Sequence, residues 1–238
     1  MILGIMQPYF FPYFGYFDHI SRCDTWVVFD ITQYTPKSWM TRNRILHQNK
    51  GWVYIKCDVH GSQSMLLSEV KIVNLQRTKE KLIGQVSHYK KYAPFFKNVY
   101  EIINEAFSSC QSSLLRDIST SSIAAVCQYL SIPFHPRIAS QEDFPLPTIT
   151  YAGQWALEIS TLLGATEYLN TPGGRGIFHP AEFKERHIRL GFTRVPDFTY
   201  DCKPYQFEPC LSILDVLMWN SPETVRSRMG QDPVDYAV

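Results

Sequence analysis

The stretch ILGIMQPYFFPYFGYF, residues 2–17, decides how the chain begins to fold. Its first five residues are an apolar run that predicts a β-strand, and Gln7 follows the run directly. Pro8 and Pro12 lack the backbone N–H that a central strand needs and fix φ near turn values, so regular sheet pairing ends there. The strand therefore opens into a rigid, aromatic-walled turn, and a polar residue at such a strand end is typical of a ligand pocket.

Composition excludes several classes of protein. The chain has 238 residues, 45% of them hydrophobic and 14% aromatic, which is enough to fill a sizeable core. The formal net charge of +1 provides no global field that would recruit nucleic acid or an anionic membrane. No run approaches the ~20 apolar residues that span a bilayer, and the N-terminus lacks a signal-peptide pattern. We therefore expect a cytoplasmic protein with no membrane span and no nucleic-acid partner.

The six cysteines and seven histidines show no spacing typical of a metal site or a disulfide framework. We expect mostly buried, reduced thiols, no metal and no bound cofactor. Cys57 with His60, and Cys202 beside Lys203, stay open as nucleophile and base or cation pairs, although no motif supports either.

Hydrophobic periodicity predicts an α/β (or α+β) fold, a mixed sheet with packed helices, whose N-terminal part is rich in strands and whose middle is helical. Strands are expected at 2–6, 25–30, 43–47, 52–57, 70–73, 168–170 and 188–192. Helices are expected at 13–22, 75–92, 95–107, 113–130, 151–163, 180–186 and 211–219. We expect one domain over residues 1–238, with a proline-rich connection near 141–150 that could separate two lobes.

Arg42 and Arg44 lie two residues apart in a predicted strand. Side chains two apart share a face of a strand, so the two guanidinium groups would project together while Asn43 points the other way. Guanidinium forks match phosphate or carboxylate oxygens bidentately, which makes a diphosphate or an acyl carboxylate a sensible ligand. Structural ion pairs with Asp24 and Asp30 are the alternative.

Aromatic and amide neighbours give the region around these arginines the character of a pocket. Gln33, Tyr34 and Trp39 precede them in sequence. The rings of Tyr9, Phe11, Tyr34 and Trp39 could stack on a nucleobase or a sugar face, although burial in the core would explain most of them equally well.

A glycine-rich loop, residues 171–176, follows the predicted strand 168–170. Gly173 and Gly174 would allow the close approach and positive φ that an anion nest requires, and Arg175 could add a charge-assisted contact. A plain turn explains the loop equally well. His179 follows the loop and is the candidate general base, with a surface histidine as the alternative.

Ser212 and Asp215 have the spacing of a helix N-terminal capping pair ahead of an apolar helix. Capping and the helix dipole explain both residues without catalysis. A catalytic role for Asp215 is the alternative.

Six segments occur in one order along the chain: MQPYFFPYFGYF, VVFDITQY, SWMTRNRIL, YKKYAPFF, GATEYLNTPGG and FEPCLSILDVLMWN. Together they resemble the WbqC-like family, proteins associated with bacterial O-antigen and other surface-polysaccharide gene clusters. The resemblance implies cytoplasmic work on sugar nucleotides and transfer of glycine or another acyl unit to an amino sugar. It implies polar roles at Gln7, Asp30, Gln33, Arg42, Asn43, Arg44, Asn170, Gly173, Ser212 and Asp215. The chain departs from the family where a Tyr-x-Gln element is expected, because Asp201 and Cys202 follow Tyr200.

Residues and resemblance together predict an N-acyl or aminoacyl (glycyl) transferase that acts on a nucleotide-linked amino sugar in lipopolysaccharide or other surface-polysaccharide biosynthesis. The co-substrate would be an activated acyl donor, a thioester or an activated amino acid, which an acyl or peptidyl carrier could deliver. The predicted catalytic residues are His179, Asp30, Asn43 and Asp215. The predicted substrate-binding residues are Gln7, Tyr9, Gln33, Tyr34, Trp39, Arg42, Arg44, Asn170, Gly173, Gly174 and Arg175. A Cys- or Ser-dependent hydrolase and a non-catalytic sugar-nucleotide binding protein remain as alternatives.

Overall fold

A computed structural model describes residues 1–237. The first half of the chain contains β1 (Ile2–Met6), α1 (Phe14–Ser21), β2 (Thr25–Val28), β3 (Arg42–Leu46), β4 (Trp52–Lys56), β5 (Val59–His60), β6 (Lys71–Ile72), α2 (Leu75–Val86), α3 (Phe96–Ser108) and α4 (Leu115–Tyr129). The second half contains β7 (Pro136–Ile138), α5 (Gln154–Leu162), β8 (Glu167–Asn170), α6 (Pro180–Glu185), β9 (Arg189–Phe192), α7 (Ile213–Trp219), α8 (Pro222–Ser227) and β10 (Asp235–Tyr236).

The main sheet has six strands in the order β10-β9-β8-β1-β2-β7. All neighbours in it pair in parallel except β10, which runs antiparallel to β9. Two antiparallel pairs, β3 with β4 and β5 with β6, stand apart from this sheet. The fold class predicted from the sequence, a mixed sheet with packed helices, is confirmed.

Both faces of the sheet are covered, which is why the central strands β1 and β2 are nearly all apolar. Leu3, Ile5 and Val27 belong to a core with α5 and α6 on one face. Trp26 and Val28 belong to a larger core with α1, α3, α4 and α7 on the other face. Alternate residues of β2 therefore enter different cores, as the two-residue period of a strand requires.

The chain changes direction across the sheet at β1. From β1 it adds β2 and then β7 on one side, and it then returns to add β8 and β9 on the other side. Because β1 and β8 are parallel neighbours, their carboxyl ends, Met6 and Asn170, lie at the same edge. Ligands of open α/β sheets bind in the crevice that forms at such a switch point.

Four elements were not predicted: β5, β7, α8 and β10. The three strands among them are only two or three residues long, and β7 begins with a proline, so none shows a readable alternation. The predicted helix 75–92 divides into α2 and a 3₁₀ turn, Ser87–Lys91. Residues 141–150 connect a 3₁₀ turn after β7 to α5, and both β7 and α5 pack with the same sheet.

Candidate functional site

The aromatic turn after β1 is held in an unfavourable backbone conformation. Phe11 has φ of 41°, and positive φ at a bulky residue costs about 1–3 kcal/mol. Its carbonyl oxygen accepts hydrogen bonds from Asn43 Nδ2 and Ser212 Oγ, both at 2.8 Å, and its N–H donates to Ser122 Oγ at 3.2 Å. These three partners come from distant parts of the chain and fix the turn that carries Tyr9 and Tyr13.

A cavity of about 330 Å³ opens beside this turn. We call it the Arg44 compartment. The residues that matter for its chemistry are Tyr9, Tyr13, Trp39, Arg44, Gly173 and Cys210.

The guanidinium group of Arg44 is positioned without an acidic partner among residues 1–237. Its Cζ lies 5.5 Å from the ring centroid of Trp39 and 5.1 Å from that of Trp52. Nη2 donates to the carbonyl oxygen of Cys210 at 3.3 Å, while the buried Nε has no acceptor. An unsatisfied buried donor costs about 1–3 kcal/mol. An anionic ligand in the cavity would use donors that the protein leaves free.

Arg42 has a different environment. Its Cζ stacks at 4.3 Å over the ring of Tyr54, which lies opposite Arg44 in the β3–β4 register. The two arginines therefore share a face of the hairpin, and Asn43 is buried on the other face. Of the two arginines, only Arg44 lines a compartment in the described part of the chain. Asn43 lines the same compartment, but its amide already donates to the Phe11 carbonyl and accepts from the N–H of Arg44. The alternative of ion pairs with Asp24 and Asp30 is not found in residues 1–237.

A second cavity of about 460 Å³ lies between the ends of β1 and β8. It shares Met6, Tyr9, Thr171 and Gly173 with the Arg44 compartment, so the two are adjoining. Of the residues in the range 1–237, no acidic, basic or histidine side chain lines it, and we call it the uncharged compartment. Its polar side chains include those of Gln7, Thr32 and Asn170.

The side-chain amides of Asn170 and Gln7 in this compartment differ in the hydrogen bonds that they make within the protein. Asn170 accepts from the N–H of Thr171 at 2.7 Å and donates to the hydroxyl of Tyr168 at 2.5 Å. Gln7 Nε2 makes one long contact, 3.4 Å, with Thr32 Oγ1. Gln7 is therefore the amide that a ligand can engage most readily.

The glycine-rich loop is a 3₁₀ turn, Pro172–Ile177, and its glycines do not adopt positive φ. The expectation of positive φ in an anion nest is therefore wrong, because continuous 3₁₀ geometry keeps φ negative. Close approach does occur at Gly174, where a Cβ would lie 2.8 Å from Asn170 Oδ1, whereas a Cβ on Gly173 would meet nothing within 4 Å. Arg175 turns away to Asp235, 2.8 Å from it, outside both compartments.

Asp30 is fully buried and engaged by the protein. It accepts from Arg116 Nη1 at 2.8 Å and from Ser140 through its N–H at 2.9 Å and its hydroxyl at 2.6 Å. This cluster joins the segments that follow β2 and β7. The structure does not bring Asp30 to either compartment.

Asp215 is also fully buried and accepts from three donors. They are the N–H of Leu46 at 3.1 Å, the hydroxyl of Tyr200 at 2.8 Å and the hydroxyl of Tyr89. Burial raises the pKa of the Asp215 carboxyl. Ser212 is the N-cap residue of α7, as expected, and Asp215 ties that helix to β3 rather than facing a cavity.

His179, Gln33 and Tyr34 also lie outside both compartments. His179 is exposed, stacks on Tyr151 and contacts Glu182 Oε1 at 3.1 Å through Nδ1. Gln33 is exposed and Tyr34 is packed in the core. The structure therefore does not place the predicted base beside the predicted arginine.

Sequence reasoning missed two residues of the Arg44 compartment, Tyr13 and Cys210. Burial raises the pKa of Tyr13 to about 12, so its phenol stays protonated and can donate a hydrogen bond at neutral pH. Cys210 is exposed, whereas Cys57 and Cys202 are buried, and burial raises the pKa of both buried thiols. The sequence did contain a signal for both residues, because each lies in a segment that carries the family resemblance.

A doubly covered parallel sheet with cavities at its switch point is typical of α/β proteins that bind small molecules. The chain belongs to the WbqC-like protein family, whose model matches residues 7–227, as the resemblance predicted. It is 28% identical over 222 residues to the uncharacterized protein Rv1507c of Mycobacterium tuberculosis (strain ATCC 25618 / H37Rv), an alignment that covers 90% of this chain and 92% of that relative. No solved structure matches the chain. Within residues 1–237, no helix is both long and apolar enough to cross a bilayer.

Proposed function

We propose that the protein is an N-acyl or aminoacyl transferase that binds a nucleotide-linked amino sugar in the two compartments. The acyl unit, glycyl among the candidates, comes from an activated donor such as a thioester or an activated amino acid. Binding of the sugar nucleotide is supported by the structure of the compartments, and the transfer step by the resemblance to proteins of surface-polysaccharide gene clusters.

The observation that carries the proposal is the state of Arg44. Its guanidinium lies against two indole rings, has no carboxylate partner in residues 1–237 and retains free N–H donors beside a cavity. Such a preorganised group loses little side-chain freedom when an anion binds. Phosphate oxygens of a sugar nucleotide fit this chemistry.

The transfer can proceed without a protein base. The neutral amine attacks the acyl carbonyl, the N–C bond forms, the C–S bond of a thioester breaks, and the amine proton leaves with the thiolate. The phenols of Tyr9 and Tyr13 remain protonated, since burial raises the pKa of each, and can donate to the oxyanion of the tetrahedral intermediate. Holding the acyl donor beside the sugar amine supplies the rest of the acceleration.

One observation favours the alternative of a non-catalytic sugar-nucleotide binding protein. Of the residues in the range 1–237, no histidine, aspartate or glutamate lines either compartment. General acid–base catalysis most often uses these groups. The hydrolase alternative lacks its two original nucleophile candidates, because Cys57 and Cys202 are buried outside both cavities.

The test is to incubate the purified protein with a panel of nucleotide-linked amino sugars and acyl donors and to detect the product by mass. Gly173→Leu should abolish binding and product formation, because Gly173 lies in the wall that the compartments share and a side chain added there would enter open space. Gly176→Leu is the matched control, since it lies in the same 3₁₀ turn, also has open space, and lines neither cavity. Binding without any product would support the binding protein, and equal loss in both variants would remove the cavity from the proposal.

A further inference from the structure

The two adjoining compartments differ in charge. Within residues 1–237, Arg44 is the charged side chain that lines the first compartment, and the second has none. Moving an ionised group into surroundings without a counter-charge is costly. A ligand that occupies both compartments must therefore carry its negative charge at one end and an uncharged group at the other.

The uncharged compartment has the features that recognise a planar heterocycle. Phe29 and Trp155 form an edge-to-face pair with ring centroids 5.6 Å apart and give it an aromatic wall. Gln7 and Thr32 supply an amide and a hydroxyl whose mutual contact, at 3.4 Å, is weak enough to be exchanged for ligand contacts. An amide side chain can donate to and accept from the edge of a nucleobase at the same time.

From this arrangement we infer that the uncharged compartment binds the nucleobase and that Arg44 binds a phosphate of the same molecule. The inference rests on the proposed function, since it takes the ligand to be a sugar nucleotide. In such a molecule the base and the sugar lie on opposite sides of the phosphates. The sugar amine would then extend past Arg44 toward Tyr13 and Cys210, which also border a smaller hollow of about 70 Å³.

The reverse orientation is disfavoured by the same charges. Phosphates in the uncharged compartment would meet no cation among residues 1–237, and a protonated amine there would meet no carboxylate. Phosphate at Arg44 gives the negative charge its partner and leaves the uncharged end for the base.

The experiment uses the full chain and separate probes for the two ends, with affinities from calorimetry. The probes are the common ribonucleosides and thymidine, inorganic pyrophosphate, and the diphosphate of whichever nucleoside binds. Gln7→Leu keeps the side-chain volume but removes the amide, and it should weaken nucleoside binding about tenfold while changing pyrophosphate affinity less than about twofold. Arg44→Gln should weaken pyrophosphate binding and leave nucleoside affinity nearly unchanged. Both variants should weaken binding of the nucleoside diphosphate.

Gln85→Leu is the matched control, because Gln85 is also a half-buried glutamine but donates to the carbonyl oxygen of Tyr54, outside both compartments.

Thermal unfolding shows whether Gln7→Leu is folded. If it is not, Thr32→Val makes the same test. The inference is overturned if no nucleoside binds, or if nucleoside affinity is unchanged in Gln7→Leu or Thr32→Val. Product formation with an unchanged KM in those variants would overturn this orientation and leave the transferase standing. The expected binding pattern without product would overturn only the transfer.

Discussion

Asp30, just after β2, and Arg44, within β3, were both predicted from the sequence to take part in catalysis or substrate binding. Their environments in the structure are opposite. Asp30 is fully buried and accepts from Arg116 and Ser140. Within residues 1–237, the guanidinium group of Arg44 makes a single hydrogen bond, leaves its buried Nε without an acceptor, and has a cavity beside it. A charged group whose hydrogen-bonding capacity is used by the protein holds the structure together. One whose donors remain free beside a cavity is available to a ligand.

The largest effect expected from this comparison is on stability. Asp30→Ala should lower the free energy of unfolding by about 3 kcal/mol, because it leaves Arg116 buried without its main partner. The loss should fall at the low end of the usual range of about 3–5 kcal/mol, since Asp117 still lies 3.0 Å from Arg116 Nε. Chemical denaturation monitored by circular dichroism gives the measurement.

Asp58→Ala is the control for this prediction. Asp58 also pairs with basic residues, Lys56 and Lys81, but its side chain is 56% exposed. Exposed pairs contribute no more than about 1 kcal/mol. Equal losses in the two variants, or a folded Asp30→Ala protein that no longer binds ligand, would contradict the structural role of Asp30.

The difference between Asp30 and Arg44 could not be predicted from the sequence, because the partners lie far away along the chain. Asp30 meets residues 86 and 110 positions later. The local pattern did predict the strand at Ile2–Met6 with its observed bounds and the hairpin strand β3 within one residue. Short-range periodicity contains that information.

Convergence of Gln7 and Asn170 at one edge depends on β1 pairing with β8, an event between distant segments. Nothing in the local sequence encodes such a pairing, and only the family resemblance placed both residues in one set. His179 was predicted from its position after the glycine loop. The 3₁₀ turn that replaces the expected nest is followed by α6, with His179 as its exposed N-cap residue.

The second-largest effect expected is on ligand affinity, and it distinguishes Arg44 from Arg42. Arg44→Ala should weaken binding of a nucleotide-linked amino sugar about tenfold, because a charge-assisted hydrogen bond is worth about 1.5–3 kcal/mol. Arg42→Ala should change the affinity less, since Arg42 stacks on Tyr54 and lines neither compartment. Titration calorimetry on both variants tests this, with thermal unfolding as the check on folding.

The sequence pattern assigns both arginines to substrate binding and so predicts a loss of affinity in both variants, whereas the fold predicts it mainly in Arg44→Ala. Equal losses would mean that Arg42 reaches the ligand in the bound state. Unchanged affinity in both would assign the whole arginine face to the stability of the hairpin.

The smallest effect concerns Cys210, the exposed thiol of the Arg44 compartment. A bound sugar nucleotide should slow alkylation of Cys210 by iodoacetamide several-fold, because the ligand would cover the thiol. In Arg44→Ala the same ligand concentration should protect less, whereas buried Cys127 should stay unmodified in the folded protein throughout. Peptide mass spectrometry over a time course measures each rate, with the denatured protein as the reference for full labelling. Alkylation at the same rate with saturating ligand would mean that the bound molecule stops short of Cys210, so that the reacting end of the sugar lies elsewhere.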